Sequence, residues 1–187
     1  MVRPAAPAAP RGAYPRFRQT LHWVSAALIA AMIPTGLVMA RTLDDALRLN
    51  LYQAHLLAGW TVVALMLVRV WLRLRQPVPV PAGLAPWNRR LFAGVHWGVT
   101  LFPFLLAVSG MGAILQNGLG PLLQAGTPPP ATLDVTQARD AHQLGAYLFV
   151  ALLIVHVAGV ARYQLTQGDA LGRMGVRGVP SGDRASR

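Results

Sequence analysis

Four stretches of this chain are long, apolar and free of charge: 21–40, 49–68, 91–115 and 141–161, the second running on past Arg69 to about Leu72. An α-helix rises about 1.5 Å per residue, so roughly 20 residues cross a hydrocarbon core about 30 Å thick. None of the stretches alternates apolar and polar residues as a transmembrane barrel strand does. A helix is then the remaining way to satisfy every backbone N–H and C=O in lipid. The sequence therefore reads as all-α, a four-helix transmembrane bundle with spans at about 19–40, 50–72, 91–115 and 141–163. A secretory signal competes for the first stretch, because Val38-Met39-Ala40 loosely resembles a cleavage site. The length of that stretch and Pro34 inside it favour a retained span.

Charge position, rather than charge amount, sets the orientation. The formal net charge is +11, from 17 arginines against six aspartates, with no Lys and no Glu. Such a balance alone would fit nucleic acid or an anionic surface. Fourteen arginines, however, lie before the first span, between the second and third, and after the fourth; the other two connections hold three. The positive-inside rule then places both termini in the cytoplasm. Residues 1–13, rich in Ala and Pro, read as a disordered tail, 14–167 as the membrane domain, and 168–187 as a loosely structured cytoplasmic tail. Gln76 to Pro86 carries four prolines and reads as an extended linker. Gly118 to Leu133 is the longest external connection, with an apolar piece, Gly120 to Gln124, suited to lie against the membrane surface. The absence of Cys removes disulfides, thiolate metal sites, iron–sulfur clusters and covalent haem attachment.

All five histidines fall in the spans or at their ends. By depth, His22 and His96 lie toward the cytoplasmic side, His55 and His142 toward the outer side, and His156 deeper toward the cytoplasm. Fourteen residues separate His142 from His156. On an ideal helix they differ by about 40° in direction and stand about 21 Å apart along the axis. A left-handed bundle brings them nearer to one face. One helix thus offers an inward imidazole at each membrane side, with His55 as the outer partner and His22 or His96 as the inner one. Two non-covalent b haems, each between two neutral imidazoles, need such an arrangement. With both axial positions closed, such a haem moves electrons rather than activating oxygen. Gly59, Gly145 and Gly159 lie one turn from these histidines, as cofactor clearance or as plain helix contacts. Arg16, Arg18 and Arg162 inside, and Arg48 and Arg139 outside, are candidates to hold haem propionates. The alternative is a haem-free assembly or transport protein with structural histidines. No carboxylate lies within any span, and a cation or proton transporter wants one there.

Several short motifs in order carry a resemblance: Arg16-Phe17-Arg18-Gln19-Thr20-Leu21-His22-Trp23, His55 with Gly59, Arg69-Val70-Trp71-Leu72-Arg73, Ala141-His142-Gln143-Leu144-Gly145, Ile154-Val155-His156-Val157 and Asp169-Ala170-Leu171-Gly172-Arg173-Met174. Over about residues 14–174 the chain resembles the bacterial cytochrome b561 family, small four-helix dihaem proteins of the inner membrane. The resemblance implies His22 and His156 as inner ligands and His55 and His142 as outer ones. It implies for His96 an association with quinone or the inner haem. It further implies two haem b groups exchanging electrons with membrane quinone such as ubiquinone, with a redox protein or superoxide on the outer side. One branch of the family resembles a superoxide:ubiquinone oxidoreductase. Three positions depart from the family pattern: Leu56 where a Lys is common, Thr100 where an aromatic is common, and Arg162-Tyr163-Gln164-Leu165 where a His-containing basic run is usual. Leu56 removes a cation that could steer a small anion, which weakens the superoxide reading. Arg41, Arg48 and Arg139 could replace it, diluted by Asp44, Asp45, Asp134 and Asp140. The orientation is checked by fusions: a fluorescent protein after Arg187 is expected to be bright, and alkaline phosphatase inserted at Gly126 to be active. The opposite pattern would reverse the topology.

Overall fold

The computed structural model describes residues 12–77, 85–176 and 179. Most of the expected N-terminal tail, 78–84 of the proline-rich linker and nearly all of the chain beyond 176 lie outside the described residues. Among the described residues six helices follow in order: α1 Arg16–Met39, α2 Asp45–Arg75, α3 Pro86–Gln116, α4 Leu119–Gln124, α5 Gln137–Thr166 and α6 Ala170–Arg173. α1, α2, α3 and α5 are long and apolar enough to cross a membrane. α1 packs on α2, α2 on α3 and α3 on α5, in an up-down-up-down bundle. No strand occurs among the described residues.

Each long helix outruns the apolar stretch that marks it, because lipid contact and helix ends obey different rules. Asp44 caps α2, its carboxylate accepting from the Leu47 N–H at 2.7 Å, and Thr136 caps α5 by accepting from the Arg139 N–H. Pro86 opens α3 at a position where no backbone N–H is needed. Large apolar side chains face outward along the bundle, among them Leu57 at 72% exposed and Ile154 at 64%, while few residues, such as Ser25, Val62, Met66 and Phe149, are buried. That distribution suits lipid as solvent, where tight packing rather than hydrophobic burial holds helices together.

The two ends of the bundle are closed by different devices. At one end, Leu119 and Leu123 of α4 are buried against Tyr52. The 120–124 piece therefore turns Leu123, and in part Leu122, onto the bundle rather than presenting them outward. Beneath it, Arg48 is only 4% exposed. Its guanidinium donates to the carbonyls of Pro129 (2.7 Å) and Thr42 (3.1 Å) and to the carboxylate of Asp45. At the other end, Arg18 donates to the Gln76 carbonyl at 2.9 Å, tying α1 to the end of α2. Residues 169–176, expected to be loose, instead form α6 and dock on the start of α1. The Trp23 indole N–H donates to the Met174 carbonyl, the Tyr14 N–H donates to the Arg173 carbonyl, and the Arg173 guanidinium lies over the Tyr14 ring. Hydropathy averages out such side-chain docking, so the sequence pattern gave no sign of it.

Arg48→Gln leaves the Pro129 and Thr42 carbonyls without their cationic donor. A loss of about 2–3 kcal/mol is expected, read as a lower midpoint in denaturant unfolding of the detergent-solubilised protein.

Candidate functional site

The inward face of α5 is a seam of His142, Gly145, Phe149, Leu152 and His156, spaced three and four residues in turn, which is the heptad rhythm of left-handed helix packing. Each of these residues meets α3. A hydrogen bond joins the His142 Nδ1 to the Leu106 carbonyl at 2.9 Å, with the Ser109 hydroxyl at 3.3 Å. A Cβ at Gly145 would sit 3.0 Å from Leu106, and Phe149 stacks on Phe102 at 5.7 Å. Leu152 fills the space over Gly98, and His156 lies 5.1 Å from the His96 ring.

Across this seam stand the other helices' histidines. The ring centres of His55 and His142 are 6.3 Å apart, and those of His22 and His156 are 6.5 Å apart. Two imidazoles bound to opposite faces of one metal, with metal–nitrogen bonds of about 2 Å, have ring centres roughly 6–6.5 Å apart. Both pairs match that spacing. His96, at 5.1 Å, stands too near His156 for an axial partner, and its Nδ1 is bonded to the Phe92 carbonyl at 2.7 Å. His55 and His156 each keep a buried Nδ1 without a hydrogen-bond partner. Native structures seldom leave such an atom idle unless a further group belongs beside it. No cluster of three or more His, Asp or Glu side chains able to hold a bare ion occurs among the described residues. Pairs of neutral nitrogens on a cysteine-free chain fit a metal whose remaining ligands arrive with it, as in a porphyrin.

The expected clearance glycines fare unevenly. Gly145 packs on Leu106 of α3 as a helix contact, whereas Gly159 has open space beside it and Gly59 meets only Met32. Gly36 and Gly110 abut histidines: a Cβ at Gly36 would lie 3.3 Å from His55 Cε1, and one at Gly110 would lie 3.0 Å from His142 Cε1 and Nδ1. Spacing along their own helices gives no hint of this, because it depends on the register between helices. Of the arginines expected near propionates, Arg16 and Arg162 are exposed. Arg18 and Arg48 make the end-closing bonds described above, and Arg139 donates to the Leu133 carbonyl at 2.8 Å. Arg69, counted for topology and part of the 69–73 motif but not expected at a haem, lies within electrostatic reach of His22, His96 and His156.

A helical membrane bundle with facing imidazoles at two depths defines a class of protein, the membrane cytochromes that hold haem without covalent attachment. The family described as prokaryotic cytochrome b561 matches residues 13–176, and the chain belongs to it. It is accordingly a multi-pass bacterial membrane protein that binds b-type haem and transfers electrons, which decides against the haem-free alternative. No curated protein matches the chain.

Gly110→Ala forces a methyl against the His142 ring and is expected to cost about 1–3 kcal/mol, with a displaced low-spin haem signal in electron paramagnetic resonance. Gly94→Ala, with nothing within 4 Å, is the silent control.

Proposed function

We propose that this protein carries electrons across the membrane through two b haems, one held by His22 and His156 and the other by His55 and His142, and exchanges them with membrane quinone. The observation that carries the reading is the pair of matching ring spacings, 6.5 and 6.3 Å, both built on α5. Fourteen residues of helix set the two pairs about 21 Å apart along the axis. A haem held by these imidazoles would supply one-electron transfer. The chain's part is to hold each ring rigidly. Leu106 and Ser109 orient His142, and Gly36 and Gly110 let α1 and α3 approach the outer pair closely.

Quinone exchange is favoured at the end that carries His96. The Phe92 carbonyl engages its Nδ1, which leaves the other ring nitrogen free to hold or pass a proton beside the inner pair. The arginine distribution makes that end cytoplasmic. On the outer side, Arg41, Arg48 and Arg139 all direct guanidinium donors to backbone carbonyls, and Asp45 neutralises Arg48. Leu56 in place of a cation and the pairing of Arg48 with Asp45 weaken a cationic approach to the outer pair, which favours a carrier serving a redox partner over a superoxide:ubiquinone oxidoreductase. Rapid reduction of the pure protein by enzymatically generated superoxide, with quinone as acceptor, would reverse that preference.

Pyridine-haemochrome assay of the purified protein is expected to give two haem b per chain. His142→Ala and His156→Ala are each expected to lose one. Retention of both haems in either variant would overturn the ligand assignment.

A further inference from the structure

The most exposed energetic problem in the bundle is Arg69. It lies inside α2, between the apolar run that ends at Val68 and the last two turns of the helix. Arg73, a turn further on, stacks its guanidinium on Trp97 at 4.2 Å, and Arg75 is exposed, as snorkelling side chains at a membrane edge should be. Arg69 does otherwise. Its guanidinium turns inward and donates to the Leu21 carbonyl at 3.2 Å, beside His22. Its Nε is buried with no partner. The one salt bridge among the described residues joins Arg48 and Asp45 at the opposite end. The one aspartate described at this end, Asp169, caps α6 through Gly172.

A desolvated cation needs an anion, or it costs several kcal/mol by order of magnitude. The surroundings of Arg69 supply three imidazoles and a carbonyl, none of which carries negative charge as a neutral ring or amide. The missing anion has to come with whatever occupies the space between His22 and His156. A b haem brings two carboxylates on one edge of its ring, and a guanidinium is the side chain best shaped to receive a carboxylate in the interior.

We propose that Arg69 is the counter-charge for the carboxylate edge of the haem held by His22 and His156, and that it keeps this haem's potential high. The proposal rests on the dihaem reading above. The sign follows from electrostatics. Reduction adds one electron to the iron centre, and a nearby cation favours the more negative state. Removing the cation bares a carboxylate and favours the oxidised state. Losing the cation and baring the carboxylate each lower the potential.

The test uses full-length protein in the His142→Ala background, where the inner haem is the one retained, and measures its potential by spectroscopic redox titration. Arg69→Gln is expected to shift the reduction equilibrium about tenfold toward the oxidised form, equivalent to 59 mV for one electron. Arg69→Lys, which keeps the charge, is expected to shift it much less. An unchanged potential in Arg69→Gln overturns the proposal. So does equal haem loss in the Gln and Lys variants, which would assign Arg69 to the α1–α2 tie through Leu21 alone. Should the Gln variant fail to accumulate, redox-difference infrared spectra of the otherwise wild-type protein with 15N-labelled arginine give the second reading. Arginine bands that move on reduction of the inner haem support the proposal, and their absence overturns it. Failure of the underlying reading is separately visible, because haem count rather than potential would then depart from expectation.

Discussion

In hydrocarbon a backbone has no solvent to fall back on, so each spanning segment closes its hydrogen bonds within itself and becomes a helix. Chemistry is then left to side chains whose positions are dictated by the helical repeat. In this protein the repeat does its work on α5. The seam from His142 to His156 steps by three and four residues against α3, and its two ends are imidazoles. α1 and α2 need only bring one histidine each to the matching depth, and their ring centres stand at nearly equal distances from the seam. Small residues on α1 and α3 give way where those rings press closest.

The bundle treats its charges according to where they lie. Arg48 has each of its three nitrogens engaged, by two carbonyls and a carboxylate, and it fastens the loop that carries Pro129 over the buried α4 leucines. Arg18 performs a similar fastening on the opposite side through Gln76. Both are structural cations whose anionic or carbonyl partners are built into the chain. Arg69 differs in kind, since the chain gives it one carbonyl and no carboxylate.

The spans and the histidine pairs were legible in the sequence because each rests on a one-dimensional quantity. A run of about 20 uncharged residues measures membrane thickness, and the fourteen-residue interval from His142 to His156 measures both depth and facing. The choice between His22 and His96 was not settled by depth, since both lie near the same end; the family resemblance favoured His22, whose ring stands 6.5 Å from that of His156 against 5.1 Å for His96. Gly36 and Gly110 stayed hidden for a related reason. A glycine in a transmembrane helix is commonplace, and only the rotation of α1 and α3 about their axes reveals which ones face an imidazole. Arg69 was read as a topology marker because its position in α2 says it is near an edge, while the inward turn of its side chain is a matter of rotamer. The docking of 169–176 depends on Trp23 and Tyr14, far away in sequence, and polar composition alone suggested looseness.

That docking has a bearing on how the molecule is made. Gln19 and Trp23, in the opening turns of α1, bond to carbonyls of Arg173 and Met174, more than 150 positions later in the chain. During synthesis α1 is made before α2, α3 and α5, all of which must be translated before this clasp can shut. The clasp therefore cannot guide insertion. It acts as a seal on completed molecules, and a chain truncated before Arg173 would carry four spans and all five histidines yet leave its first helix unlatched.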